Sequence, residues 1–354
     1  MKRCVLVLAS IACLLLGGCS WMDGSYVSVQ NHQQQVSGVH SGNASAANYP
    51  QLLAVLSDLL ESGIENAVIN VAEYDPDLVE NGMQTAIHYL EEMHPLGTYA
   101  LDEITYNIGT GIGQPAISVN ISYIHGRSEI RKIRTVADTA AATEQISRVL
   151  EQCSEGIVLL VEDYTPVDLV QLVEDYAQQN PNIVMEQPQV AVGIYPDFGE
   201  RRVVELKFTY QTSRESLRTM QSQVQRVFSS AELYLPPDAV DAQKYALLYS
   251  FLMERSDYQF ETSITPAYSL LIHGVGDGDA FASVYAAMCR KVGLTCEVIS
   301  GTCNGEPRIW NLIRSGETYR HVDLLSCYST GHFQSFSDAE MTGYVWDYSA
   351  YSTP

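Results

Sequence analysis

The sequence predicts an α+β protein, a duplicated α/β-sandwich region followed by a second α+β domain. Three observations carry that reading. Helical apolar spacing alternates with short strands of period two between 49 and 231, local patterns recur there at an offset near 90 residues, and the pattern changes after Leu235-Pro236-Pro237. A chain of 354 residues, 46% hydrophobic and 18% charged, suggests about two or three domains at ~100–200 residues each. A core of that size needs neither disulfides nor a metal for stability.

Charge and cysteine usage narrow the class. Against 42 Asp and Glu stand 20 Lys and Arg, a formal charge of −22, which would repel a phosphate backbone or an anionic lipid surface and excludes nucleic acid as a partner. Of 8 cysteines, Cys4, Cys13 and Cys19 open the chain, and Cys289, Cys296, Cys303 and Cys327 cluster near its end, so no disulfide scaffold is implied.

In chain order, Lys2 and Arg3 form a positive start, Val5 to Leu16 an apolar run too short for a permanent membrane span, and Leu16-Gly17-Gly18-Cys19 a small-residue exit. The quartet resembles the lipobox of bacterial lipoproteins. It implies a signal peptide over 1–18 and a lipid-modified Cys19 as mature N-terminus, held by acyl chains on the extracytoplasmic face of the cell membrane. Loss of Lys2 and Arg3 takes the charge from −22 to −24. Residues 19–48 are rich in Ser, Gln, Gly, Asn and His and read as a tether with a flexible reach of about 30 Å.

The region 49–231 carries two repeats, about 52–136 and 141–230. Leu60-Glu61 recurs as Leu150-Glu151, the strand ending at Val71 as the one ending at Val161, and Tyr74-Asp75-Pro76 as Tyr164-Thr165-Pro166. Asp75 and Thr165 before proline suit helix caps, so helices are expected over 76–93 and 166–179. Each copy closes on an alternating strand, with Ile117, Val119, Ile121 and Tyr123 on one face of the first and Val204, Leu206, Phe208 and Tyr210 on one face of the second. No catalytic constellation occurs here, and Cys153 is expected on a helix as a small apolar residue.

The last domain, 232–354, opens with an amphipathic helix from Asp238 to about Glu254. A glycine turn, His273-Gly274-Val275-Gly276-Asp277-Gly278, then feeds a helix carrying Tyr285, Met288 and Cys289. A strand at Cys296–Ser300, the run Asn304-Gly305-Glu306-Pro307-Arg308-Ile309-Trp310-Asn311 and a strand to His321-Val322-Asp323 follow. This order resembles the transglutaminase-like, papain-type family over about 238–354. The tail Phe336-Ser337-Asp338-Ala339-Glu340-Met341 with Val345-Trp346-Asp347 is similar to the end of its bacterial members.

The resemblance implies a Cys-His-Asp triad, with a thiolate at a helix N-terminus, a His on the next strand and a carboxylate beyond it. Laid onto this sequence, Gly278 stands at the cysteine position and Arg308 at the histidine position, while Asp323 keeps the carboxylate. Glycine has no nucleophile, and a guanidinium with a pKa above about 12 is no base near neutrality. Cys289, eleven residues beyond Gly278, lies about 16 Å along the helix and is expected in the core with Cys296. A partly buried Arg308–Asp323 pair is expected in the triad's place, able to present guanidinium N–H groups to a carboxylate of an envelope peptide or wall polymer.

Two other arrangements are open. A displaced Cys303, His321, Asp323 set would make an active cysteine peptidase or acyl transferase, although Cys303 would lack a helix N-terminus. A metal set of His273, Asp277, Asp279 and His321 matches no ligand spacing, so neither a metal nor another cofactor is expected. The reading is a lipid-anchored extracytoplasmic protein whose degenerate domain binds or scaffolds at the cell envelope. The displaced cysteine enzyme and a purely structural surface lipoprotein are the alternatives.

Overall fold

The structure, a computed structural model, describes residues 44–109 and 115–350. The expected signal peptide, the lipidation residue Cys19 and most of the tether lie outside the described residues. Residues 44–48, expected to end the tether, are folded instead. β1 (Ala44–Ser45) pairs in parallel with β2 (Asn66–Asn70), Ala46 is buried, and the Asn48 side chain caps α1 (Tyr49–Glu61) by accepting the Gln51 N–H. A two-residue strand carries no periodicity, so composition alone could not separate it from a tether.

The first unit continues through β2, α2 (Pro76–Glu92), α3 (Pro95–Ala100), β3 (Leu101–Gly109), β4 (Ala116–Tyr123) and the short α4 (Arg127–Ile130). Its sheet runs β1-β2-β4-β3, with antiparallel pairing of β4 to both neighbours. Asp75 caps α2 by accepting the Asp77 N–H, ahead of proline at the first helical position. Ile117, Val119 and Ile121 of β4 are buried in this unit's core, alternating with exposed polar residues.

The second unit repeats the order with β5 (Arg134–Asp138), α5 (Thr139–Glu151), β6 (Gly156–Asp163), α6 (Leu169–Gln179), β7 (Gln189–Tyr195), β8 (Arg202–Thr209) and α7 (Arg214–Leu233). Its sheet runs β5-β6-β8-β7 with the same strand directions. The 90-residue offset holds in detail. Caps Asn48 and Asp138 correspond, α1 and α5 are each 13 residues long, and Gly63 and Cys153 both take positive φ, 61° and 50°. In both, the N–H groups after the helix fold back onto its last carbonyls, Gly63 onto Leu60 and Cys153 onto Leu150. Cys153 is therefore buried in the turn that ends α5, not on the helix.

Two further expectations are corrected here. α6 begins at Leu169, capped by Asp168, rather than at Pro166, because Thr165 is pinned in place by reciprocal hydrogen bonds of its backbone with the Thr139 hydroxyl. β8 is also not one-faced. Val204, Leu206 and Phe208 enter their own unit's core, but Val203 and Glu205 are buried as well, Val203 within the first unit's core.

The last domain comprises α8 (Asp241–Met253), β9 (Asp257–Tyr258), α9 (Pro266–Tyr268) running into a π turn (Ser269–His273), β10 (Val275–Gly276), α10 (Gly278–Lys291), β11 (Cys296–Cys303), β12 (Glu306–Ser315), β13 (Thr318–Val322), α11 (Leu324–Thr330) and β14 (Tyr344–Trp346). Its sheet is antiparallel in the order β13-β12-β11-β14. Asn304 and Gly305, at φ 54° and 87°, make the two-residue turn between β11 and β12. One core joins α7, α8 and α10 to the sheet and takes in Cys289 and Cys296, both fully buried. Among the described residues no helix is long and apolar enough to cross a membrane.

Candidate functional site

The site assembles where the N-terminus of α10 meets the end of β13. β10 pairs in parallel with β9, and Asp277 caps α10 by accepting the Ala280 N–H, which makes Gly278 the first helical residue. A Cβ added at Gly278 would meet nothing within 4 Å, so its environment has room for a side chain. The helix is anchored to the sheet by Asn311, whose buried Nδ2 donates to the Ala282 carbonyl at 2.9 Å.

Arg308, on β12, donates from Nε and Nη2 to Oδ2 of Asp323, each at 2.8 Å. Asp323 is fully buried and caps α11, its Oδ1 accepting the Ser326 N–H at 3.1 Å. The Tyr344 hydroxyl of β14 donates to the same Oδ2 at 2.5 Å. One carboxylate thus ties together β12, β14 and the start of α11. Burial works against the Arg308 charge, but adjacent Asp323 more than offsets it and holds the guanidinium pKa above its ordinary value. Nη1 has no protein partner among the described residues, and 22% of the side chain is exposed.

Tyr258 links the two halves of the site. Its ring stacks on Phe281 of α10 at 4.2 Å, and burial, then the Asp323 charge, raise its hydroxyl pKa, with Arg308 opposing and Asp277 adding to the rise.

His321 is engaged elsewhere. Buried on β13, its Nδ1 accepts the Trp310 indole N–H at 2.9 Å and its Nε2 lies 3.1 Å from Oδ1 of Asp338. That pattern is the neutral tautomer with the proton on Nε2. Burial lowers its pKa, and the exposed Asp338 only partly opposes this. Cys303, at the end of β11, faces Asn304 Nδ2 at 3.7 Å and the Tyr344 hydroxyl. Both ring nitrogens of His321 are therefore occupied by partners other than Cys303, and Asp323 is bound to Arg308, so the structure does not bring Cys303, His321 and Asp323 together as a relay. Nor does it gather the four residues of the metal set. His273 packs edge-on against Tyr268, and among the described residues no three His, Cys, Asp or Glu side chains converge as metal ligands.

Sequence reasoning missed Tyr258, Tyr344 and Asp338. The spacing of Trp310 and Asn311 located Arg308, but nothing in the sequence ties Tyr344 or Asp338, from an irregular segment, to a particular strand face.

A helix N-terminus set against an antiparallel sheet, with a buried carboxylate at the sheet's end, belongs to the cysteine-proteinase type of α+β domain. Residues 234–346 match the transglutaminase-like superfamily and form a transglutaminase-like domain. No curated protein matches the sequence. Among solved structures, the chain is similar to a transglutaminase (10% identity, TM-score 0.29, covering 62% of this chain and 64% of that one). It is also similar to a candidate cysteine protease from Cytophaga hutchinsonii (11%, 0.26, 45% and 70%) and a candidate protease from Parabacteroides distasonis (9%, 0.23, 78% and 40%).

Proposed function

We propose that the protein is a lipoprotein anchored through Cys19 on the extracytoplasmic face of a cell membrane, with a transglutaminase-like domain that binds rather than reacts. The observation that carries this reading is the Arg308–Asp323 pair. The resemblance matches Arg308, which cannot release a proton near neutrality, to the family's imidazole and Asp323 to the carboxylate that orients it, and the two are bound to one another. With glycine matched to the family's thiol and arginine to its imidazole, those two positions offer neither nucleophile nor base, and Cys303 lacks a partnering imidazole. The unpartnered Nη1 of Arg308 suits a carboxylate from an envelope peptide or wall polymer. The lipobox-like Leu16-Gly17-Gly18-Cys19 supports the anchor.

Two experiments test the two halves. Hydrolysis and transamidation of peptide amides by the full chain should match the rate of its Cys303→Ala variant; a rate that this substitution abolishes overturns the non-catalytic reading. Metabolic labelling with a clickable fatty acid should mark the protein and fail in Cys19→Ala; equal labelling of both contradicts the anchor.

A further inference from the structure

A cavity of about 400 Å³ lies between α6, with the segment that follows it, and the first two turns of α10. That volume is in the range of small-ligand sites, roughly 300–1,000 Å³. Its apolar wall includes Ala177, Val184, Met185 and Val284, and its polar wall carries Glu174, Asp175 and Asp279. No Lys, Arg or His lines it among the described residues. A second, smaller cavity shares Thr262, Pro266 and Ala280 with it and adds Glu261 and Asp277, again without a basic residue.

Two of these polar groups lack partners. Asp279, exposed at the rim of the cavity, makes no hydrogen bond or ion pair among the described residues; partial desolvation, then neighbouring Asp277, raise its pKa. Ser283, one helical turn further along the same face of α10, is 92% buried by its 8% exposure and makes no hydrogen bond. Ser147, Ser222 and Ser230 each bond back one helical turn, to Thr143, Arg218 and Arg226. Ser283 forgoes that bond and lines the cavity with its hydroxyl unpaired. The Ser283 hydroxyl and the Asp279 carboxyl are thus open acceptors at one half-apolar cavity, free to bind a donor-rich ligand.

We infer that this cavity binds a guanidinium group, presented as the arginine side chain of a peptide. Three carboxylates favour a cation. A guanidinium carries five N–H donors in one plane for several acceptors, and its weak hydration suits a half-apolar enclosure better than a compact ammonium does. The aliphatic stem of arginine suits the Val284 and Met185 wall. The inference does not depend on whether the domain has lost its catalytic chemistry, because none of these residues belongs to the Arg308–Asp323 site.

The test is calorimetric titration of the full chain with Nα-acetyl-arginine amide, its lysine counterpart and the neutral isostere Nα-acetyl-citrulline amide. Saturable binding of the arginine compound is expected, with the lysine compound several-fold weaker and the citrulline compound silent. Asp279→Asn, which removes a charged acceptor, should weaken binding roughly 10- to 100-fold. Ser283→Ala should weaken it roughly 2- to 10-fold while leaving the urea midpoint unchanged, since that hydroxyl makes no bond in the free protein. Absence of saturable binding, equal binding of citrulline or lysine, or an unaltered affinity in Asp279→Asn overturns the proposal. The failure of amide turnover described above would leave it standing.

Discussion

Two polar pairs bridge β12 to the end of β13 only two residues apart, and they solve burial in opposite ways. Arg308 and Asp323 bury full charges that compensate one another, with Tyr344 and the Ser326 N–H completing the carboxylate. Trp310 and His321 bury a neutral imidazole whose two nitrogens are each assigned a role. The Arg308 guanidinium keeps its charge across the neutral range, whereas the second pair can be disturbed by a single proton. The difference shows why the His321 imidazole, two residues from Asp323, takes no part in the charged pair. It is committed to holding the indole and the segment that contains Asp338, while Asp323 is held by a guanidinium that keeps its charge near neutrality.

Breaking the charged pair should have the largest effect. Arg308→Ala leaves the fully buried Asp323 carboxylate without its cation and should destabilise the fold by about 3–5 kcal/mol in urea unfolding. Replacing both partners with apolar residues, Arg308→Met with Asp323→Leu, should cost less than Arg308→Ala alone, because no uncompensated charge remains. A double variant no more stable than Arg308→Ala would show that the strut acts through the Tyr344 and Ser326 bonds instead.

The neutral pair predicts a smaller loss. Trp310→Phe deprives His321 of its donor and should cost about 1–3 kcal/mol. Protonation attacks the same bond, since a proton on Nδ1 would face the indole N–H. His321 has a folded pKa below its unfolded value near 6.5, so its contribution to stability is intact above that value and declines as pH falls through the folded one. His94, buried and beside Arg201, is lowered to about 4 and adds a loss of the same sign between roughly 6.5 and 4. Urea unfolding from pH 7.5 to 4.5 should show falling stability, with a shallower slope in His321→Gln; an unchanged slope would remove His321 from the account.

Gly278→Cys should have the smallest effect on stability, within about 0.5 kcal/mol, because nothing lies within 4 Å of the new Cβ. A marked drop in thermal midpoint would mean that the helix N-terminus has no room for a side chain at position 278.

The parts that the sequence made legible are those whose partners are fixed by regular elements. The family resemblance, anchored on Trp310-Asn311 and Val322-Asp323, implied that Arg308 and Asp323 are neighbours, and the pairing of β12 with β13 brings them together. The 90-residue offset read from Leu60-Glu61 and Leu150-Glu151 recurs in helix ends, caps and left-handed turns. What stayed hidden depends on packing between units or on irregular chain. β8 is buried on both faces because the first unit covers its Val203 and Glu205 side, which no alternation within β8 announces. Tyr344 and Asp338 arrive from a segment with no periodic pattern, and Ser283 is seen to line a cavity only once α6 packs beside α10.

The most direct test of the central claim, a domain without thiol chemistry, is labelling of the folded full chain by an electrophilic thiol probe at neutral pH, with modified residues located by mass spectrometry. Slow, non-saturable labelling of Cys303, unchanged in His321→Ala, is expected. Fast, saturable labelling of Cys303 that disappears in His321→Ala would contradict that claim.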